Sequence, residues 1–165
     1  KLQMVFDEGL YDPANEPDIA YAYLFSRFKG EEWRTQKMIP QLLREYFTTK
    51  PDGIPGNDDT GTMSAWAVFS MMGFYPDCPG EPSYTLTAPT FEKVTITLNP
   101  KWYNGHNELV ISKSGSNENG REAKRDSYDR ISGMTLGRKT LKGYRISHEE
   151  LTRGGELVFR CRAAK

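Results

Sequence analysis

Two short acidic segments carry the side chains best suited to chemistry. One covers residues 12–18, and the other covers residues 56–61 and contains the adjacent pair Asp58 and Asp59. Both are surrounded by Pro, Gly and Asn rather than by Lys or Arg partners. Carboxylates that converge on a pocket can bind a hard cation through oxygen, or one of them can activate water. The sequence thus offers these segments as a candidate site for hydrolysis or cation binding.

The same segments also have a purely structural interpretation. Each precedes a predicted helix, so Asp18 in the first segment and Asp59 or Thr60 in the second could be N-caps. The remaining polar residues would then only form turns, and neither segment would be functional. An Asp-Asp dipeptide alone does not decide between the two interpretations.

Several other kinds of site are disfavoured by spacing. An EF-hand loop needs Gly at its sixth position and Glu at its twelfth. Counted from Asn57, these positions are occupied by Thr62 and Val68 instead. The two histidines, His106 and His148, have no Cys or His neighbour at zinc-ligand spacing, so we expect them to be surface residues. No nucleophile elbow, phosphate loop or dinucleotide fingerprint occurs, which leaves acyl, phosphoryl and hydride transfer unsupported.

Charge and hydropathy limit the partners. The 165 residues include 22 basic and 22 acidic side chains, and neither sign gathers into a block, so neither nucleic acid nor an anionic membrane is indicated. No apolar run approaches the ~20 residues of a membrane span.

Cys78 and Cys161 could pair in an oxidising compartment or stay free, with free thiols slightly favoured. The absence of an Asn-x-Ser/Thr acceptor favours a bacterial origin.

The first half of the chain has helical patterns. An apolar stretch over residues 19–28 predicts a short buried helix that Asp18 caps and Gly30 ends. A second helix is predicted over residues 35–47, with Pro40 as its start or a kink. A third is predicted over residues 61–72 and ends at Gly73. Its buried face comprises Met63, Trp66, Ala67, Ser70 and Met71.

The second half changes to alternating patterns, which predict strands. In the first of these, Phe91, Val94, Ile96 and Leu98 are expected to point one way. The other strands are predicted at residues 109–112, 131–136, 144–146 and 156–160, with a surface loop over residues 112–130. Ser147 and Glu150 fit a capping box that opens a short helix. Helices followed by strands, without alternation, predict an α+β fold.

The residues around the second acidic segment resemble the signature of glycoside hydrolase family 92. The resemblance rests on residues 56–66, which read GNDDTGTMSAW, and on residues 73–76, which read GFYP. Tyr11-Asp12 and residues 15–17, Asn-Glu-Pro, resemble the motif that precedes it, and residues 146–151 with Gly154-Gly155 resemble the terminal segment of the family. The resemblance covers almost the whole chain.

Membership of that family would imply a calcium-dependent exo-alpha-mannosidase that removes mannose from N-glycans or mannan with inversion. The implied fold ends in the last helices of an (α/α)6 toroid, here residues 1–80, followed by a small antiparallel β region, here residues 81–165. By position, Asp59 would be the general base, with Asp58 or Asn57 orienting the water. Asn15 and Glu16 would contact sugar hydroxyls or the Ca²⁺ ion. A secreted, periplasmic or cell-surface location would follow.

One expected motif is missing. The general acid of the family is a glutamate in a Glu-Gly-Asn-Ala-Trp-like motif, and that motif does not occur here. The chain also begins at Lys1 without an initiator Met, as an excised segment would. We therefore expect an N-terminal part that supplies the acid, and an isolated chain that is inactive. The alternative is a non-catalytic carbohydrate-binding or structural β module, in which the acidic segments are only caps.

Overall fold

The computed structural model describes residues 1–115 and 128–164, so most of the predicted loop over residues 112–130 lies outside the described residues. The α-helices are α1 (Leu2–Asp7), α2 (Tyr21–Leu24), α3 (Glu32–Tyr46), α4 (Thr62–Met72) and α5 (His148–Thr152). Two 3₁₀ helices, Glu16–Asp18 and Phe25–Arg27, flank α2. None of the helices in the described part is long and apolar enough to cross a membrane.

Helix α4 begins and ends where the sequence predicts. Gly61 precedes it with φ 95° and Gly73 follows it with φ 93°, and both values lie in the left-handed region that glycine enters without steric cost. The predicted buried face is confirmed for Met63, Trp66 and Ala67, together with Ser70. Met71 is only partly buried but packs against the same cluster.

The helix predicted over residues 19–28 is wrong in two respects. The stretch is divided between α2 and the 3₁₀ helix Phe25–Arg27, and it ends at an extended Phe28. Asp18 does not cap it, because its carboxylate accepts from Asp12 N at 3.1 Å and from Asn15 Nδ2 at 3.2 Å. Pro17 places the preceding turn in 3₁₀ geometry, and the carboxylate is used to close that turn.

Helix α3 is longer at its N-terminus than the sequence predicts. It begins at Glu32, so Pro40 lies inside the helix rather than at its start. Its buried face contains Ile39 and Leu42 and also Thr35 and Gln36, which a pattern of apolar residues does not reveal. Both polar side chains are hydrogen-bonded. Thr35 Oγ1 donates to Ala22 O at 2.8 Å, and Gln36 Nε2 donates to Leu86 O.

Two sheets form the β region. The smaller has the order β1-β2-β7, with β1 (Phe74–Tyr75), β2 (Ser83–Leu86) and β7 (Arg145–Ser147). The larger has the order β3-β4-β8-β5-β6, and its strands are β3 (Lys93–Thr97), β4 (Glu108–Ser114), β5 (Tyr128–Leu136), β6 (Lys139–Thr140) and β8 (Gly155–Ala164). All pairs are antiparallel except β4 with β8, which is parallel. The α+β class is confirmed, with a mixed rather than purely antiparallel larger sheet.

Alternation along β3 is confirmed for Val94 and Ile96, which face the core while Thr95 and Thr97 are exposed. Phe91 was expected on the same inner face, but it precedes the strand and half of its surface is exposed. Ser147 caps α5 as predicted, accepting from Glu150 N at 3.1 Å. The Glu150 carboxylate pairs with Lys139 instead of returning to the cap.

The core consists of two apolar clusters, one among the helices around Trp66 and Tyr23 and one in the β region around Phe159 and Leu157. Gln36 of α3 joins them, because its Nε2 donates to Leu86 O at 3.1 Å and its Oε1 accepts from Ala88 N at 3.2 Å. A buried amide that uses both ends fixes α3 against β2. The division of the chain at residues 80 and 81 stays a prediction.

Candidate functional site

The structure brings the two acidic segments into contact. A Cβ atom placed on Gly56 would lie 2.6 Å from Ala14 Cβ, so the backbones of the two loops meet at this point. Gly56 also has φ 63°, a left-handed conformation. Residues 42 positions apart in sequence are thus in contact, and Asn15, Glu16, Asn57, Asp58 and Asp59 in the two loops are all exposed.

Asp58 organises the start of α4. Its Oδ1 accepts from Ser64 N at 2.8 Å, and its carbonyl oxygen accepts from Met63 N at 3.2 Å. These amides belong to the first turn, which lacks intrahelical partners. The capping role that the sequence assigned to Asp59 or Thr60 therefore belongs to Asp58.

Asp59 sits at the sharpest point of the turn. Asp59 and Thr60 have φ 48° and 58°, values that are uncommon for residues other than glycine. The Asp59 carbonyl oxygen accepts from Thr62 Oγ1 at 2.8 Å and from Thr62 N at 3.2 Å, which holds the main chain in this conformation. Such local strain is common where a protein must hold a side chain in a set place.

The first acidic loop is closed around Asp18. This carboxylate is buried and accepts from the Asp12 amide and the Asn15 side chain, while Asp12 Oδ1 accepts from Ala14 N at 2.9 Å. The Asn15 side-chain nitrogen already donates one hydrogen bond within the loop, to Asp18. Glu16 follows on the exposed rim.

A further contact ties the end of this loop to α4. Trp66 Nε1 donates to Ile19 O at 2.9 Å, and the indole is buried against Tyr23 and Phe47. The Trp66 side chain is one turn along the helix from Met63, close to the cap that Asp58 forms. The position of the first loop relative to the second therefore depends on this indole as well as on the Ala14–Gly56 contact.

Tyrosines line the interior side of the first acidic loop. Burial, followed by the charges of Asp77 and Glu16, raises the pKa of Tyr75 to about 12. Burial and then Asp18 also raise the pKa of Tyr11 well above its usual value. Tyr75 stacks on Tyr23 at a centroid distance of 4.6 Å. Both phenols stay protonated at neutral pH and are hydrogen-bond donors beside the acidic loops.

Among the described residues, no group of three or more His, Cys, Asp or Glu side chains is arranged to hold a metal ion. Ca²⁺ takes 6–8 oxygen ligands, which include carbonyl, amide and water oxygens as well as carboxylates. Asn15 and Glu16 carry side-chain oxygens of the kind that Ca²⁺ binds.

A cavity of about 380 Å³ lies between α1 and α3, on the other side of Tyr11 from the acidic loops. It includes none of the five candidate residues. Its lining mixes aromatic, amide and charged side chains, among them Phe6, Tyr11, Trp33, Arg34, Gln41 and Tyr46. None of the residues of α1 is buried, so one wall of the cavity is thinly packed.

Sequence reasoning missed the role of Asp77, which joins the helices to the small sheet. Its fully buried carboxylate accepts from Arg27 Nε at 2.9 Å, from Arg145 Nη1 at 3.1 Å and from Thr85 Oγ1 at 3.0 Å. In sequence it lies within a Pro- and Gly-rich turn, and no spacing rule points to its partners.

The histidines were expected at the surface, which is confirmed for His106, whereas His148 Nδ1 bonds with Tyr84 Oη at 2.7 Å. Cys78 and Cys161 are free thiols, as expected.

Comparison with known proteins agrees on one family. The model of the glycosyl hydrolase family 92 catalytic domain matches residues 1–163. A solved family 92 alpha-mannosidase from Bacteroides thetaiotaomicron has 26% identity and a TM-score of 0.81, over 98% of this chain and 21% of that one. A family 92 inverting mannosidase from the same organism has 31% identity and a TM-score of 0.75, over 97% of this chain and 20% of that one.

A curated relative from Arthroderma benhamiae, described as an uncharacterised secreted glycosidase, is 32% identical over 96 residues. That match covers 58% of this chain and 12% of the relative. The chain thus spans about a fifth of the solved relatives and about an eighth of the curated one.

Proposed function

The chain belongs to glycosyl hydrolase family 92, and from this premise we propose that it is the C-terminal part of an inverting exo-alpha-mannosidase acting on N-glycans or mannan. The observation that carries the proposal is the contact between the two acidic loops at Ala14 and Gly56. It puts the loop that carries Asn15 and Glu16 against the loop that carries Asp58 and Asp59, and the exposure of these four residues supports a role in binding a substrate.

We assign the general base to Asp59. Asp58 already uses one carboxylate oxygen and its carbonyl oxygen to cap α4, so its position is fixed and it can orient a water molecule beside its neighbour. The hydrogen bonds around Asp59 go through its main-chain carbonyl, which leaves the exposed carboxylate to accept a proton from that water. Asn57 is assigned to sugar hydroxyls, and Asn15 and Glu16 are assigned to sugar hydroxyls or to a Ca²⁺ ion.

An inverting glycosidase needs a second carboxyl group, ~6.5–9.5 Å from the base, to protonate the leaving oxygen. The sequence has no motif resembling the general acid of the family, so the acid belongs to the rest of the protein. A Ca²⁺ ion is also part of the proposal. Asn15 and Glu16 would contribute some of its ligands, and the remaining ligands would come from elsewhere in the protein.

The proposed setting is outside the cytoplasm, as a secreted, periplasmic or cell-surface enzyme of a bacterium. It is supported by the relative described as secreted and by the glycans that the proposed reaction requires. The isolated chain is proposed to be inactive because it lacks the acid.

The test is Asp59→Asn in the complete enzyme, with α-mannobiose as substrate and NMR detection of the first anomer released. Loss of a general base should lower kcat by about 10²–10⁴-fold. Asp52→Asn is a matched control, since Asp52 is an exposed aspartate on the preceding turn. Unchanged turnover in Asp59→Asn would remove that residue from the mechanism, and turnover by the isolated chain would show that the acid is not missing.

A further inference from the structure

The turn over residues 99–107, between β3 and β4, presents an aromatic ring to solvent. Trp102 is 71% exposed, the largest value among the exposed large apolar side chains of the described residues. Tryptophan combines a large apolar ring with an N–H donor, which is why it is enriched at binding surfaces.

The turn is built to hold that ring in place. Trp102 N and Tyr103 N donate to Asn99 O at 2.9 and 3.2 Å, and Gly105 N donates to Pro100 O at 2.9 Å. Tyr103 points inward, packs against the β core and lies 6.2 Å from the His148 ring. A rigid turn loses little conformational entropy when it binds a ligand.

The two faces of the indole differ. Lys101 Nζ lies 5.1 Å from the ring centroid, as in a cation–π contact, and so occupies one face. Trp102 is nevertheless 71% exposed, so part of its ring surface is accessible to a ligand. Amide side chains that both donate and accept hydrogen bonds occur around it in the sequence of the turn, at Asn99, Asn104 and Asn107.

The surroundings of Trp102 disfavour a protein partner. Residues 99–101 and 104–108 are exposed, and apart from Pro100 and Gly105 they are polar or charged. The core of a protein–protein interface needs contiguous apolar area, which this turn lacks. One aromatic face among amides instead suits a ring that is apolar on one face and rich in hydroxyls at its edge.

We propose that the turn over residues 99–107 is an accessory carbohydrate-binding surface on which Trp102 stacks against a sugar ring of a mannose-containing chain. The choice of mannose rests on the proposed function. The surface lies in the β region, on a different element from the acidic loops, and it would hold polymeric substrate near the enzyme without touching the reacting bond. Its affinity per site would be low, because it offers one ring and a few amides.

The test compares Trp102→Ala with the parent in the complete enzyme, by depletion binding to insoluble mannan on ice and by kinetics on an aryl mannoside. Binding to mannan should weaken about three- to tenfold, the range for loss of one aromatic contact. The kcat/KM for the aryl mannoside should not change. Trp102→Phe should keep part of the binding, and Phe91→Ala, which removes another exposed aromatic of the β region, should keep all of it.

Three results would overturn the inference. Mannan binding by Trp102→Ala equal to that of the parent would exclude the surface, even if the enzyme cleaves mannosides. The second result is a lowered melting temperature of Trp102→Ala together with weaker mannan binding by Phe91→Ala. It would show that the rest of the protein covers the Trp102 ring. Trp102-dependent binding to cellulose or xylan instead of mannan, in an enzyme that does not cleave mannosides, would refute the mannose specificity and the proposed function together.

Discussion

The buried carboxylate of Asp77 offers the sharpest test of how the two halves are joined. Its side chain is fully buried, whereas the Arg27 and Arg145 side chains that pair with it are 32% and 29% exposed. Asp77→Ala would leave both guanidinium groups without this partner and would also remove the acceptor of Thr85 Oγ1. Because Arg145 also pairs with Glu81, part of its charge stays compensated.

The magnitude follows from these exposures. Removing one partner of a fully buried ion pair costs ~3–5 kcal/mol. The arginines are about one-third exposed and regain some hydration, so the lower end applies, at about 3 kcal/mol. The cost falls on the small sheet, because Thr85 lies in β2 and Arg145 in β7. Since 1.4 kcal/mol is a factor of ten, local opening should become about a hundredfold more frequent.

The measurement is amide hydrogen exchange of the complete protein, followed by mass spectrometry on peptides from β2 and β7. Glu149→Gln is the matched control, because its pair with Arg153 is 79% and 66% exposed and should contribute ~0–1 kcal/mol. Exchange in β2 within about threefold of the parent after Asp77→Ala would refute the reasoning, since it would mean that the network does not stabilise the sheet.

Three further predictions concern single groups. Burial raises the pKa of the Cys161 thiol from 9.0 to about 12, so peptide mapping after iodoacetamide at pH 8 should find Cys78 modified and Cys161 protected; equal modification would contradict this. The pKa of Tyr75 is raised from 10.0 to about 12, so its contribution to stability is complete below pH 10 and is lost as the pH rises to 12. Tyr75→Phe should therefore reduce the fall in melting temperature over that range, and an identical fall would exclude Tyr75 as its source. Gly56→Ala should lower kcat/KM for mannobiose about tenfold, because strain of ~1–3 kcal/mol and the clash with Ala14 displace the loop, and Ala14→Gly should restore part of it; full activity in Gly56→Ala would show that the loops need not touch.

Helix α4 could be predicted from sequence because local and tertiary signals agree there. The glycines at both ends need left-handed backbone, and the apolar residues at helical spacing are the ones that pack. The stretch over residues 19–28 lacks such agreement. It is apolar on nearly every side, so periodicity cannot indicate where α2 gives way to 3₁₀ turns.

Of the small sheet, only strand β7 was predicted, at residues 144–146, because the pairing of the three strands depends on residues that are distant in sequence. Strand β1 has two residues, and β2 is held between β1 and β7, about 60 residues further along the chain. Thr85 in the middle of β2 is fully buried because Asp77 accepts its hydroxyl. A hydropathy pattern predicts polar residues of this kind to be exposed, because it contains no information on the hydrogen-bond partners that allow them to be buried.

The candidate site was predictable in its residues but not in its arrangement. Motif resemblance named both acidic loops, yet nothing in the residues places Ala14 against Gly56. Local chemistry also gave the cap of α4 to Asp59 or Thr60, because they lie nearest to the helix. The chain instead turns through two left-handed residues, so that the Asp58 carboxylate accepts from Ser64 N in the first turn while Asp59 contacts that turn through its main-chain carbonyl oxygen.

That turn explains why two adjacent aspartates can have different roles. A single carboxylate cannot easily serve both purposes, because capping engages its oxygen with a helix amide while base catalysis needs an oxygen open to water. With the Asp58 carboxylate on Ser64 N, the helix has its side-chain cap without the Asp59 carboxylate, because Asp59 contacts the first turn through its main-chain carbonyl oxygen. Asp58→Ala should therefore lower the stability of the complete enzyme by ~1 kcal/mol, because it removes the oxygen that accepts from Ser64 N, with a smaller loss of kcat than Asp59→Asn. Thermal unfolding and mannobiose kinetics on both variants would measure this, and a larger loss of kcat in Asp58→Ala would reverse the two assignments.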